Sequence, residues 1–192
     1  MFNAFANVTS AIDKFQDIKD ALEKLALKDV LVGIPQEGSS RKSGEGITNA
    51  ELAYIHTHGI RNIGMRQEMQ GSLDHGTPYS KAYEMYIQAH GSPLWNSPPR
   101  PIIEPAIEDM KGPISEQLRQ AIVAALEGGN PEPALKRAGM LGQNAARGWF
   151  VNPKNNWAPN SPLTIAKKKS DKPLINTGEL RKSITFIVRE RM

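Results

Sequence analysis

The segment KPLINTGELRKSITFIVRERM, residues 172–192, constrains the fold more than any other. Ile184, Phe186 and Val188 alternate with Thr185, Ile187 and Arg189, so the first three share one face of a strand. A strand this apolar needs a partner. A partner in the same chain makes it an ordinary sheet strand; a partner in another copy makes it part of an assembly, because a free edge pairs readily. Just before it, Thr177 is placed to cap a short helical turn from Gly178 to Ser183 that aims Leu180 inward. The basic tip then faces solvent, a lumen or a neighbouring subunit.

Earlier segments supply candidate partners. DVLVGIPQ reads as a strand over Val30–Ile34, which Pro35 ends or forces to an edge. In ITNAELAYIHTHG, Asn49 could cap a helical turn, but Tyr, Ile and Thr favour a pleated conformation, and Tyr54–His58 is predicted as a third strand. The remaining patterns are helical. From a cap at Ser10, with Asp13 three residues on, Ala11, Phe15, Ile18, Leu22 and Leu25 fall on one helix face. Ile107, Met110, Ile114, Leu118, Ala121, Ile122 and Ala125 make a longer stripe, which Pro113 should kink or split and Gly128-Gly129 should end. A further helix starts near Pro131 and Pro133 and turns Leu135, Ala138, Leu141, Ala145 and Trp149 inward. Gly139 and Gly142 on it permit close backbone approach. The stretch from Asn152 to Pro173 reads as extended and proline-punctuated. Strand and helix periods in one chain predict an α+β fold, an antiparallel sheet packed against N-terminal and central helices.

With 192 residues, the chain suits a single domain, 1–192. Ile60–Pro98 is long for a simple connection and is broken by glycine and proline. It reads as an insertion or projecting segment with one short helix after Thr77-Pro78. Trp95 stands there among prolines and suits an interface.

Several function classes fall away. No apolar run is long enough to cross a bilayer, the N-terminus lacks the pattern of a secretory signal, and zero cysteines exclude disulfides and thiolate sites. The +4 net charge is local: from Ser161 onward eight Lys or Arg face three Asp or Glu, so the rest of the chain is slightly acidic. Lys167, Lys168 and Lys169 could touch DNA phosphates or line a lumen, although such a run is more often a solvated tract. His56 and His58 could chelate a metal from a strand, but no third ligand stands at a recognisable spacing. Glu104 and Glu108 are one helical turn apart, as on many solvated faces. Gly44-Glu45-Gly46 lacks the third glycine of a phosphate loop, and no serine sits in a nucleophile elbow. We therefore expect no catalysis, no cofactor and no metal. A DNA-binding protein using the basic segment and, further back, a hydrolase or metalloenzyme are the alternatives.

The order of the motifs says more than any one of them. Asn49–Gly59 matches N-A-x-x-A-x-I-H-x-x-G. Pro98–Pro105 matches P-x-R-P-F-x-x-P with Ile102 in place of Phe. Pro162–Lys168 matches P-L-T-x-x-x-K, and Pro173–Ile184 matches P-L-I-D-T-G-x-L-R-x-S-I with Asn176 in place of Asp. In this order they resemble the neck and tail-completion proteins of tailed phages, the virion morphogenesis family. The resemblance implies a non-enzymatic structural subunit of the virion, assembled in the host cytoplasm. It would form a six-fold ring at the head–tail junction or cap the tail end, with connector and tail proteins as neighbours, candidate contact with packaged DNA and no membrane. The interface candidates are Trp95, Arg100, Leu180, Arg181, Phe186 and Val188.

Overall fold

A computed structural model describes residues 3–36, 40, 47–59, 63–90 and 97–191. Trp95 lies outside them. The elements run α1 (Asn3–Ala26), β1 (Lys28–Gly33), α2 (Asn49–His58), α3 (Ile63–Asp74), α4 (Tyr79–His90), α5 (Ile103–Asp109), α6 (Lys111–Leu126), α7 (Glu132–Trp149), α8 (Pro162–Lys168), α9 (Glu179–Ser183) and β2 (Thr185–Glu190). The fold is α+β, as the mixed periods predict. Two compact units share the chain. The first holds Met1–Gly33, Ile107–Ala145 and Thr185–Met192; the second holds Ile34–Ala106 and Ala146–Ile184.

In the first unit the terminal strand finds its partner within the chain. β2 pairs antiparallel with β1, placing Val188 opposite Val30, Ile187 opposite Leu31 and Phe186 opposite Val32. Opposed residues share a face. Val30 and Val188 pack on a cluster of Ala121, Ala134 and Leu135, joined by Leu25 of α1. Phe186 and Val32 lie against α7 where it has no side chains. A Cβ at Gly139 would overlap the Phe186 ring, and one at Gly142 would stand 2.8 Å from Val32 Cγ2 and 2.9 Å from Ile107 Cδ1. The other face of the sheet carries Leu31 and Ile187, both exposed. Lys28 Nζ closes one corner on Glu132 at 3.3 Å.

The helices of this unit depart from expectation in detail. α1 begins upstream of Ser10, at Asn3, so Ser10 and Asp13 are interior to the helix and not its cap. Of the α1 stripe, Leu25 joins the core, whereas Phe15, Ile18 and Leu22 are exposed. On α6 the alanines face inward: Ala121 and Ala125 are buried while Leu118 and Ile122 are exposed. The long central helix is split as Pro113 requires, but at Met110. Pro113 then falls in the first turn of α6, where backbone N–H groups have no intrahelical acceptor to lose. α6 stops before Gly128, whose φ of 73° lies in the left-handed region.

The second unit contains the larger corrections. Tyr54–His58 is not a strand but the end of α2. Thr48, not Asn49, caps this helix: its hydroxyl accepts from the Glu51 N–H, and the Glu51 carboxylate accepts from the Thr48 N–H at 2.9 Å. This reciprocal cap and the burial of Ile55 outweigh the sheet preference of Tyr and Thr. In the 60–98 stretch the expected helix is α4, but α3 precedes it. The connection turns at Gly76 (φ 81°), with Thr77 N–H donating to the Ser72 carbonyl. Met65, Met69, Ala82 and Tyr86 form the core of this helix pair. Tyr54 of α2 meets the edge of Tyr83 with centroids 6.1 Å apart. The stretch predicted as extended contains α8, which Ser161 caps by accepting from the Thr164 N–H. Ile184, expected to begin the terminal strand, instead ends α9 and is buried in this unit.

The glycine face of α7 yields a test. Gly139→Ala should cost roughly 1–3 kcal/mol, because the Phe186 ring must move. Gly71→Ala, in a helix with open space around it, should be neutral or stabilise by about 0.5–1 kcal/mol. Urea denaturation midpoints of the two variants check both signs.

Candidate functional site

The site is built around Arg100. Its backbone N–H donates to the His56 carbonyl at 2.6 Å, which ties the segment before α5 to the end of α2. Its side chain is buried and works as a clamp. Nε and Nη2 donate to the Ala158 carbonyl at 3.1 and 2.8 Å, and Nη2 also reaches the Pro159 carbonyl at 3.2 Å. The next residue is held as well, since Trp157 Nε1 donates to the Pro101 carbonyl at 3.1 Å. Trp157 in turn meets Phe150 edge to face, with centroids 5.7 Å apart. The Asn152 side chain starts the 3₁₀ turn Pro153–Asn155, and Asn155 then accepts from the Trp157 N–H. Proline punctuation thus produces a folded-back segment, not an extended one.

A second arginine lock joins the end of α7 to α9. Arg147 donates to the carbonyls of Ile184 and Lys182 at 2.9 and 3.0 Å. Arg181 returns a bond to the Arg147 carbonyl at 2.7 Å. Each guanidinium therefore satisfies carbonyls that a helix end leaves without intrahelical partners. Leu180, between them in sequence, is buried in this unit as the predicted turn requires. Thr177 contributes less than expected: the cap of α9 is Gly178 in the left-handed conformation, and the Thr177 hydroxyl is 3.4 Å from the Glu179 N–H.

The Arg100 clamp and the start of α9 border a cleft of about 680 Å³. Leu52 and His56 line it from α2, Pro98 and Arg100 from the next segment, Thr164 and Lys168 from α8, and Asn176 to Leu180 from the approach to α9. All four segments that carry the phage-protein resemblance therefore meet at one concave surface. Burial lowers the pKa of Arg100. Lys168 is also lowered, first by burial and then by the charge of Arg100. The Lys168 ammonium donates to the Lys172 carbonyl at 2.9 Å.

The lysine run is thus divided. Lys167 and Lys169 are exposed, whereas Lys168 is half-buried in the cleft lining. Arg100 and Arg181 serve contacts inside their own unit, and Phe186 and Val188 lie in the first unit's core. His56 and His58 cannot converge on one ion as a strand pair would, because two helical residues two apart point about 200° away from each other. His58 stacks on Tyr54 with centroids 4.0 Å apart, and its Nδ1 lies 2.9 Å from the Tyr54 carbonyl oxygen. Glu104 and Glu108 are exposed on α5. Among the described residues no group of three or more His, Asp or Glu is arranged to hold a metal, and no helix is long and apolar enough to cross a membrane. Asn49 is a polar residue whose burial sequence reasoning missed; its Oδ1 accepts no hydrogen bond from the described residues.

No family model matches the chain, and no curated protein or solved structure matches it.

Removing the clamp should be costly. Arg100→Met should destabilise the protein by roughly 2–3 kcal/mol, because two carbonyls lose charged donors. Arg100→Lys should recover only part of the loss, since an ammonium lacks the planar fork. Thermal unfolding of both variants, read by near-UV circular dichroism at the Trp157 environment, checks the ranking.

Proposed function

We propose that the protein is a structural subunit of a tailed-phage virion. In this reading, copies form a ring, six-fold by the resemblance, at the head–tail junction or at the tail end, and the ring is needed for head–tail joining. The observation that carries the reading is the meeting of Asn49–Gly59, Pro98–Pro105, Pro162–Lys168 and Pro173–Ile184 around one cleft. Segments far apart in sequence gain a common reason to occur in that order: together they build one locked surface. Its conspicuous bonds are arginine to backbone carbonyl, which suits a scaffold that must hold its shape. The reading needs no catalytic residue.

Self-association has a physical source in the first unit. Phe15, Ile18 and Leu22 lie along one face of α1, and Phe15 is 68% exposed. Successive steps of three and four keep these side chains in one stripe, which burial against a second copy would remove from water. A ring closes through two different patches on each subunit, so the stripe needs to meet only a complementary apolar surface on the next copy. In the same reading the exposed Lys167 and Lys169 are candidate contacts to packaged DNA.

Sedimentation velocity tests the reading. The wild-type chain should sediment at a multiple of its 21.1 kDa mass. Phe15→Glu combined with Leu22→Glu should reduce it to monomer while leaving the circular dichroism unchanged. Lys167→Glu combined with Lys169→Glu should keep the assembled mass, because exposed charges contribute little. A wild-type chain that stays monomeric throughout a wide concentration range, alone and with connector or tail proteins, would sink the proposal.

A further inference from the structure

We propose that the cleft of the second unit is a binding site for a carboxylate side chain presented on an extended, acidic segment of a partner polypeptide. The inference goes beyond the ring reading and stands on the cleft alone. Among the described residues two cations, Arg100 and Lys168, line the recess, against one carboxylate, Glu179. Both cations are spent on neutral acceptors: Arg100 on the Ala158 and Pro159 carbonyls through Nε and Nη2, Lys168 on the Lys172 carbonyl. No ion pair joins either one to a carboxylate of the described residues. Carbonyl dipoles return only part of the hydration that a partly buried cation gives up. Nη1 of Arg100 takes no part in the clamp and keeps two donors for a ligand.

The two cations also disfavour one another, because the charge of Arg100 acts on Lys168 across the same space. One anion placed between them relieves both charges at once, and a carboxylate suits the planar donor fork. The rest of the lining fits a polypeptide. Ser97, Thr164 and Thr177 offer hydroxyls to a backbone, and Leu52, Leu174 and Leu180 give an apolar floor. A recess of about 680 Å³ holds a few residues of extended chain and does not admit a duplex. Among the described residues no Phe, Tyr or Trp lines it, so these residues offer the bases of a single strand no stacking platform.

Fluorescence anisotropy with the full chain tests the proposal. The probe is a labelled hexapeptide with two adjacent glutamates flanked by proline and glycine. It should bind saturably, and its glutamine counterpart should bind at least tenfold more weakly. Lys168→Met should weaken the acidic peptide about tenfold, whereas Lys167→Met, a change to an exposed neighbour on the same helix, should leave affinity unchanged. Lys168 makes one hydrogen bond at a helix end, so the variant is expected to fold, and circular dichroism verifies it. Equal binding of the glutamine peptide, equal loss in the Lys167 variant or no binding at all would each overturn the proposal. So would tighter binding of a single-stranded oligonucleotide, or full competition by inorganic phosphate at the peptide's own concentration.

Discussion

Two missing side chains on one helix set the geometry of the first unit. Because α7 has bare backbone at Gly139 and Gly142, the Phe186 ring and the Val32 methyls can reach its backbone. Those two residues are also opposed across the β1–β2 ladder. The notch therefore fixes the strand register as well as the helix–sheet distance. A slip of β2 by one residue would turn Ile187 toward α7 and carry Phe186 and Val188 into solvent. Packing on Ala121, Ala134 and Leu135 then follows from the same register, since Val30 and Val188 lie two residues along on the same face.

Where a local rule and the tertiary packing agree, the sequence is legible. The glycine pair, the inward face of α7, the two real strands and the end of α6 at Gly128 all belong to this kind. Where two local rules compete, pattern alone chooses badly. Tyr54–His58 has the side chains of a strand, yet a capping box one turn upstream had already committed the chain to a helix. The signal was visible as Thr48 followed by Glu51. The same holds for α8, whose start is marked by Ser161 before Pro162 but was obscured by the proline-rich context. The α1 stripe shows a different limit: its period reveals a helix face but not what covers it, and much of it meets solvent in the isolated chain.

The candidate site was legible as a set of segments but not as a place. Nothing in PPRPIIEP says that Arg100 turns inward to hold Ala158 and Pro159, because both acceptors are backbone carbonyls and leave no mark in residue type. The Arg147–Arg181 lock is hidden for the same reason. Bonds from side chain to distant backbone are specified by geometry that only the folded chain supplies. Conversely, the uniform run of three lysines conceals that its middle member occupies a different environment from its neighbours.

The pairing of β1 with β2 also bears on how the chain acquires its structure. Roughly 150 residues lie between these strands, so joining them costs about 4 kcal/mol of loop-closure entropy before any ladder bond forms. The intervening second unit can lower that cost by folding first, which shortens the effective loop. During synthesis, α1 and β1 emerge long before the strand that completes the sheet, and Val30 and Val32 stay uncovered until α6 and α7 follow. Contacts of such sequence separation form slowly and leave apolar edges open to other chains. The nascent N-terminal segment is thus a part of this protein that would gain from a chaperone's shelter.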